Sequence, residues 1–258
     1  MLRRFAIPLL ACAFLGAAAP PPSPLPTVAP AARAQYVAVL VWHDVLPQKQ
    51  VWFDTTTATL ASQLAQIAHG GFHVVPLQAL REHLERGTPL PSKPLVLTFD
   101  DNGCGIYRYA YPMLERYRFP ATLFVHTNYV GVTTSKCHNT WAQLAEMQHG
   151  GLVTIESLTA NHPEFLSQLS DADVLHEFTL SRFSITRRLG RVPYAVVYPY
   201  DHYDQRVAAL AHAAGYELGF TEDWGNADAS QNLLTIHRYS ILTRFDQALH
   251  DVATASSR

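Results

Sequence analysis

The chain has 258 residues, of which 48% are hydrophobic, and 19 basic and 21 acidic residues give it a formal net charge of −2. This length and composition suit one globular domain with a terminal tail. The balanced charge and the lack of a basic run argue against a protein that binds nucleic acid through its phosphates. No apolar segment after the N-terminus is long enough to cross a bilayer.

The N-terminus has the pattern of an export signal. Arg3 and Arg4 precede an apolar stretch at residues 5–19, which is short for a transmembrane helix. Small residues at 17–19 and at Ala32–Ala34 offer two cleavage sites. We therefore expect an exported protein that is secreted, periplasmic or associated with the cell envelope.

A Pro/Ala-rich segment at residues 20–30 is expected to be an extended, unpacked linker. Residues 1–34 are thus predicted to be signal and linker, and residues 35–258 to be the folded domain. Cys12 lies in a sequence similar to a lipoprotein-processing site, but the apolar stretch before it is short, so a lipid anchor is not favoured. The remaining cysteines, Cys104 and Cys137, lie in predicted loops, and their pairing is left open.

Strands and helices alternate along the rest of the chain. Strands are predicted at 36–42, 72–76, 95–101, 121–125, 152–157, 195–198, 218–221 and 234–239, and helices at 55–69, 77–86, 110–117, 141–149, 171–189, 205–214 and 244–253. Such alternation favours a parallel sheet with helical crossovers. About seven repeats are too many for a small open sheet, so the predicted fold is an α/β protein with a distorted (β/α) barrel of about seven parallel strands.

One predicted strand ends in two adjacent carboxylates, Asp100 and Asp101, before the turn Asn102-Gly103. In a (β/α) barrel the loops after the strands share one rim, where the chemistry takes place. Two acids at such a rim can divide the work, one holding a metal and the other moving a proton. The alternative is a polar turn that only closes a core strand.

The other predicted strand ends are also rich in carboxylate and imidazole groups, which are ligands of zinc and similar cations. They are His43-Asp44, Glu156 to His162-Pro163, Tyr198 to His202, Glu222-Asp223-Trp224 and His237-Arg238.

These motifs, in this order, resemble the polysaccharide deacetylases of the NodB-homology type (carbohydrate esterase family 4), in particular the exported poly-N-acetylglucosamine deacetylase branch. The segments that carry the resemblance are 40–45, with Trp-His-Asp, 97–101, with Thr-Phe-Asp-Asp, 111–114, 120–125, 141–144, 151–153 and 197–200, with Val-Tyr-Pro-Tyr. The resemblance covers essentially residues 37–252, and several matches in this order make it far more specific than the Asp-Asp pair alone.

The resemblance implies metal-dependent hydrolysis of N-acetyl groups on a glycan polymer. By position, Asp100 would be the general base, and Asp101 and His162 would be metal ligands. The metal would be zinc in the first place, with cobalt or nickel as alternatives. Tyr200 would donate its backbone N–H to the oxyanion and, with Tyr198 and Pro199, line the substrate pocket.

The chain departs from the family pattern at one ligand. The family has Ser-His-Thr/Ser-x-x-His-Pro, with both histidines on the metal, whereas this chain has Leu158 at the first histidine position. Leucine has no lone pair, and catalytic zinc normally has three protein ligands. The residues considered as substitutes are Glu156, Asn161, Asp201 and His202; without one, the metal would bind weakly or not at all.

The general-acid histidine of the family is also unclear in this chain, and His237 lies in about the right place for it. Three functions follow from the sequence. The first is a polysaccharide deacetylase with an altered metal site. The second is a catalytically silent glycan-binding homologue, and the third is a metal-dependent amidohydrolase that acts on a non-glycan amide. The polymer and the oligomeric state are left undetermined.

Overall fold

A computed structural model describes residues 24–255 of the chain. Its centre is a parallel sheet that curls into a half-barrel, with helices packed around it. The strands are β1 (Ala38–Trp42), β2 (Val45–Leu46), β3 (Thr55–Thr56), β4 (His73–Val74), β5 (Pro94–Phe99), β6 (Ala121–Val125), β7 (Val153–Ser157), β8 (Ala195–Val197), β9 (Leu218–Phe220) and β10 (Tyr239–Ser240). The helices are α1 (Thr57–His69), α2 (Leu77–Arg86), α3 (Tyr111–Tyr117), α4 (Trp141–His149), α5 (Asp171–Leu189), α6 (Gln205–Ala213) and α7 (Ile241–Ala255).

The sheet order is β10-β1-β5-β6-β7-β8-β9, and β4 pairs with the start of β5. All of these pairs are parallel, so the predicted fold class is confirmed. The last strand is shorter than predicted, because the stretch 234–239 forms a ladder only at its end, in β10. Before that point it touches the sheet through one bridge, between Phe220 and Ile236.

The central strands β1, β5 and β6 are buried along their whole length because the sheet is covered on both faces. On β1, Leu40 and Trp42 belong to one core, and Val39 belongs to the other. This alternation follows from the twofold period of a strand. Leu158, which directly follows β7, is 2% exposed and belongs to the second core.

Side-chain caps start several helices where the sequence offers them. Thr56, Ser170 and Asp204 each accept a hydrogen bond from a backbone N–H in the first turn of α1, α5 and α6. Thr140 and Gln143 form a reciprocal capping box at the start of α4. These caps fix the residue at which each preceding loop ends and its helix begins.

The segment before β1 is packed, which corrects the prediction of an unpacked linker for its described part. Val28 is 2% exposed and Ala32 is fully buried in the second core. The Arg33 guanidinium donates to the carbonyls of Asp228 and Ser230 at 3.0 Å each. A buried valine, a buried alanine and an anchored arginine make this segment part of the domain. The predicted signal at 5–19 and Cys12 lie outside the described residues.

None of the helices within residues 24–255 has both the length and the apolar character that crossing a bilayer requires.

Replacing Val28 with Ala tests whether the N-terminal segment belongs to the domain. The change removes two buried methyl groups, so we expect the free energy of unfolding to fall by about 2 kcal/mol. Urea denaturation measures it. The neighbouring exposed Thr27 is the matched control, and Thr27→Ala should change stability by less than about 0.5 kcal/mol. Equal effects of the two changes would mean that the segment does not pack in solution.

Candidate active site

A cleft opens at the rim formed by the carboxyl ends of the strands. It consists of two adjoining cavities of about 250 and 370 Å³. Asp101, His162 and Tyr200 line both cavities, so these three residues form the wall between the two halves. The rim predicted from strand ends is therefore a single cleft.

Asp100 and Asp101 diverge because the backbone reverses directly after β5. Asp101 has φ = 70° and Asn102 has φ = 57°, both in the left-handed region. The turn is held by Asn139, whose side-chain amide donates to the Gly103 carbonyl at 2.8 Å. Asp100 is 2% exposed, whereas the Asp101 side chain is 25% exposed. Asp100 is thus the more buried of the two carboxylates, although both line the larger half of the cleft.

Arg238 donates hydrogen bonds to both carboxylate oxygens of Asp100 from its two terminal guanidinium nitrogens. The distances are 3.0 Å to Oδ1 and 2.8 Å to Oδ2, and Arg238 is fully buried. The Arg238 Nε also donates to the Thr221 carbonyl at 2.9 Å. A bidentate pair of this kind fixes the plane of the carboxylate as well as its charge.

Asp101 and His162 form the acid–imidazole pair that the sequence predicted. Asp101 Oδ1 and His162 Nε2 are 3.6 Å apart. Burial acts to raise the pKa of Asp101, but the charges of His43 and His162 lower it, so the pKa lies below its usual value. Burial is the main cause of the lowered pKa of His162. An ionised carboxylate beside a neutral imidazole is the donor set that a divalent cation prefers.

A buried glutamate on α5 holds the loop that carries His162. Glu177 accepts hydrogen bonds from the backbone N–H groups of Ala160 and Asn161 at 3.0 and 2.8 Å, and from the Asn161 side-chain amide at 2.6 Å. The His162 backbone N–H donates to the Thr159 hydroxyl at 3.1 Å. These contacts stabilise a loop in which Thr159 and His162 both have positive φ.

Two more histidines, which the sequence analysis did not assign, lie in the smaller half of the cleft. His126 directly follows β6, is 5% exposed, and its ring centroid lies 5.3 Å from that of His162. Burial lowers the pKa of His126 to about 4, so the ring is neutral near neutral pH. His138 lies beside it, with its Nδ1 2.7 Å from the Val132 carbonyl.

The larger half of the cleft holds His43. Within residues 24–255, one set of three imidazole or carboxylate donors has all its donor atoms within 4.8 Å of one another, namely His43, Asp100 and Glu222. His43 Nε2 lies 3.8 Å from a Glu222 oxygen. We do not interpret this set as the metal site, because Arg238 already neutralises Asp100 and its fixed positive charge would repel a dication. The set is better suited to proton transfer.

A disulfide builds the outer wall of the smaller half. Cys104 and Cys137 are bonded, with their Cα atoms 5.4 Å apart, which resolves the pairing that the sequence left open. The bridge holds the loop that carries Lys136 beside the cleft. Lys136 pairs with Asp54 and lies 3.8 Å from Asp44.

The three residues predicted for the substrate pocket all lie at the cleft or directly behind it. Tyr200 is 60% exposed, and its ring lies 4.8 Å from the His162 ring. Tyr200 has φ = 53°, and no backbone carbonyl in the described part of the chain accepts its N–H. Tyr198 lines the larger half while its hydroxyl donates to the Leu234 carbonyl at 2.8 Å. Pro199 is buried between them.

Two of the four substitute ligands that the sequence offered, Glu156 and His202, lie outside the cleft. Glu156 is fully buried and accepts from Arg191 and from the Tyr194 and Ala195 backbone, outside both halves of the cleft. His202 contacts the Glu164 carbonyl and stacks on Phe165, also outside the cleft.

The other two substitutes, Asn161 and Asp201, do line the cleft. The amide of Asn161 is occupied at both ends, by Glu177 and by Asn128. Asp201 accepts from the Glu222 backbone at 2.9 Å, and burial raises its pKa to about 6.

The predicted general acid His237 lines neither half of the cleft. Its backbone N–H donates to the Ser230 hydroxyl at 3.0 Å, and its ring lies against Gly225. Three cleft-region residues had no assigned role in the sequence analysis. His43 and Arg238 appeared there only as strand-end residues, and His126 did not appear. His126 could have been found, because it directly follows the predicted strand 121–125, as Asp100 follows its own strand.

Comparison with known proteins identifies relatives of this chain. The family model for polysaccharide deacetylases matches residues 87–219, which is just over half of the chain. YxkH of Bacillus subtilis (strain 168), named for the same family, is 33% identical over 153 residues. The poly-beta-1,6-N-acetyl-D-glucosamine N-deacetylase of Escherichia coli (strain K12) is 25% identical over 230 residues. The matches cover 58% and 74% of this chain but only 53% and 34% of those relatives, respectively.

Two solved structures share the fold. The Streptococcus pyogenes deacetylase PplD in complex with acetate superposes with a TM-score of 0.76 at 24% identity, covering 84% of this chain and 97% of that one. IcaB from Ammonifex degensii gives a TM-score of 0.75 at 23% identity, covering 86% of this chain and 97% of that one.

The Asp100–Arg238 pair generates a stability prediction. Arg238→Met leaves a buried carboxylate without its countercharge, so we expect the free energy of unfolding to fall by about 3–5 kcal/mol. Adding Asp100→Leu removes that charge, and the double variant should recover much of the loss. Denaturant unfolding of both variants measures it. A double variant no more stable than Arg238→Met would contradict the assignment of the loss to an unpaired charge.

The disulfide generates a second stability prediction. Replacing Cys104 and Cys137 together with Ser opens a loop whose ends are 33 residues apart. Because the bridge limits the unfolded chain, its loss should cost about 3–4 kcal/mol. Calorimetry under non-reducing conditions measures the difference. Reductant should lower the stability of the wild-type protein to that of the double variant and leave the variant itself unchanged.

Proposed function

Because the chain belongs to the polysaccharide deacetylase family, we propose that it hydrolyses the N-acetyl groups of a glycan that contains N-acetylglucosamine. The observation that carries this proposal is the pairing, at one cleft, of a buried Asp100 gripped by Arg238 with an exposed Asp101 beside His162. The first pair suits proton transfer, and the second suits a metal.

The donor spacing fits a divalent cation. Two ligands of a tetrahedral zinc ion at 2.0–2.2 Å lie roughly 3.4 Å apart. The Oδ1 of Asp101 and the Nε2 of His162 are 3.6 Å apart, close to that value. We propose zinc first, with cobalt or nickel as alternatives, held by these two residues. The cation would supply Lewis acidity, which polarises the acyl carbonyl and makes a water a better nucleophile.

We assign Asp100 as the general base, which removes a proton from the attacking water. Arg238 donates to both of its oxygens, so the carboxylate has a fixed orientation. Asp101, one residue later, lies on the other side of the backbone reversal and remains available to the cation. Adjacent acids thereby take different roles.

The oxyanion that forms on the acyl carbon needs a donor that is already aimed at it. The backbone N–H of Tyr200 is in a positive-φ turn at the cleft wall and has no backbone acceptor within the described residues. A free, fixed N–H is the group that stabilises such a charge. Tyr198 and Pro199 support this turn from the core side.

We assign the protonation of the leaving amine to His43 rather than to His237. His43 lies beside Asp100 and Glu222 in the larger half of the cleft, with its Nε2 3.8 Å from a Glu222 oxygen. His237 is outside the cleft lining. A general acid must come within hydrogen-bond reach of the leaving group.

Exposed aromatic side chains support a sugar polymer as the substrate. Trp52 is 78% exposed and Tyr200 is 60% exposed, and both line the larger half of the cleft. Trp224, which follows Glu222 at the same rim, is 58% exposed. Flat aromatic surfaces at a cleft can stack on the apolar faces of sugar rings.

We also propose that the protein is exported and that the signal is cleaved near residues 17–19. Cleavage at Ala32–Ala34 would remove Val28 and part of the packed segment that precedes β1. A disulfide between Cys104 and Cys137 agrees with an oxidising compartment.

The leucine at position 158 supports a second candidate function. A chain that lacks the family's first ligating histidine could bind glycan without hydrolysing it. Such a homologue would retain the cleft and the aromatic residues, and it would bind metal no better than a variant without Asp101.

Acetate release tests the proposal and its assignment of the acid. Purified protein with added zinc is offered poly-N-acetylglucosamine, chitooligosaccharide and peptidoglycan, and acetate is measured. We expect Asp100→Asn and His43→Gln each to lower the rate about 10²–10⁴-fold, as the loss of a proton-transfer group does. His237→Gln is the matched control and should keep the wild-type rate. Glycan binding without acetate release would favour the binding homologue.

A further inference from the structure

Leu158, directly after β7, lies beside the end of the neighbouring strand β6. Strands β6 and β7 are parallel, with Val125 opposite Ser157, and the Leu158 backbone N–H donates to the Val125 carbonyl at 2.9 Å. The residues that follow this pair are His126 and Leu158. His126 therefore places an imidazole at the end of the strand next to β7, where the family's histidine is replaced by Leu158.

His126 is buried in a way that packing alone does not explain. It is 5% exposed, and its Nδ1 is buried without a hydrogen-bond partner within the described residues. Its ring instead meets the rings of Tyr129, His138 and His162. A buried polar nitrogen without a partner is unfavourable, so an unexplained one at a cleft wall points to a ligand.

The distance between the two imidazoles matches shared coordination. Two histidines on one tetrahedral ion place their ring centroids about 5.2 Å apart, given zinc–nitrogen bonds of about 2.0–2.1 Å. The centroids of His126 and His162 are 5.3 Å apart, with 65° between the ring planes.

His126 still has to turn to complete such a site. The donor atoms of Asp101, His126 and His162 are not among those that all lie within 4.8 Å of one another. A rotation about the side-chain torsions of His126 would bring a nitrogen inward, and no hydrogen bond at Nδ1 opposes it. The site would thus close around the ion.

We propose that His126 is the third protein ligand of the divalent cation, with Asp101 and His162, and that it replaces the histidine missing at position 158. This inference rests on the proposed metal-dependent function, but it concerns binding and is tested without turnover. The ligand chemistry is a dication that accepts two imidazoles and one carboxylate, which suits zinc or cobalt.

Two other histidines are rivals for the same role. His43 acts electrostatically on Asp101 and shares the larger half of the cleft with Leu158. Its Nε2, however, lies 3.8 Å from Glu222, in the donor set that contains the Arg238-paired Asp100. His138 has its Nδ1 at the Val132 carbonyl, and it reaches the cluster only through the ring of His126. Separate variants of these residues therefore serve as comparisons.

The test is the binding of zinc and cobalt ions to the full chain after removal of metal. His126→Leu keeps the side-chain volume and removes the lone pair. Loss of even an outer partner of a metal ligand costs about 10–100-fold in affinity, so loss of this ligand should cost more than that. Zinc affinity is measured by competition with a chelator, and the visible absorption of bound cobalt should weaken. His138→Leu should retain the wild-type affinity.

The exchange variant His126→Leu/Leu158→His gives the sharper result. It moves the imidazole back to β7 while keeping the same side chains in the protein. We expect the zinc affinity of this variant to be at least tenfold higher than that of His126→Leu. Repair of folding alone would not explain such a gain. Thermal unfolding of the metal-free variants checks that each one folds.

Three results would overturn the inference. His126→Leu could bind zinc as tightly as the wild type, His43→Leu alone could abolish binding, or the wild type could bind no better than Asp101→Ala. Tight binding through His126 without acetate release would instead leave this inference intact and contradict the proposed deacetylase function.

Discussion

The buried ion pair between Asp100 and Arg238 connects the ends of strands that are not neighbours in the sheet. Strands β9 and β10 lie at opposite ends of the strand order, and the segment before β10 joins β9 through a bridge between Phe220 and Ile236 and a few backbone hydrogen bonds. Arg238, directly before β10, reaches both the Thr221 carbonyl after β9 and Asp100 after β5. Because a guanidinium offers several donors in one plane, its side chain can hold these strand ends together in addition to the backbone hydrogen bonds.

The rim around this pair is built from strained backbone. Of the eight non-glycine residues with positive φ within residues 24–255, six follow a rim strand: Asp101, Asn102, Thr159, His162, Tyr200 and Asp201. Each such residue costs free energy, so it persists only when its surroundings hold it. Asn139 and Glu177 provide that support through hydrogen bonds to the loop backbone. Because the backbone turns sharply at these residues, adjacent side chains can point into different parts of the cleft.

Local pattern was sufficient to predict most strands of the main sheet, and the family resemblance supplied the acid–imidazole pair. Strand 121–125 has its predicted bounds, and Asp101 lies next to His162 as expected. Long-range contacts were not predictable in this way. The packing of Val28 depends on residues far along the chain, and the fully engaged Glu156 depends on Arg191 and β8. No periodicity in the sequence encodes those partners.

The place of the missing histidine shows why motif spacing alone can mislead in a parallel sheet. A motif describes residues along one loop, but a metal responds only to positions in space, and neighbouring parallel strands deliver their ends to the same edge. A ligand lost from β7 can therefore be replaced from β6 without any change in the strands. Leu158 is then free to pack in the core, where it is 2% exposed.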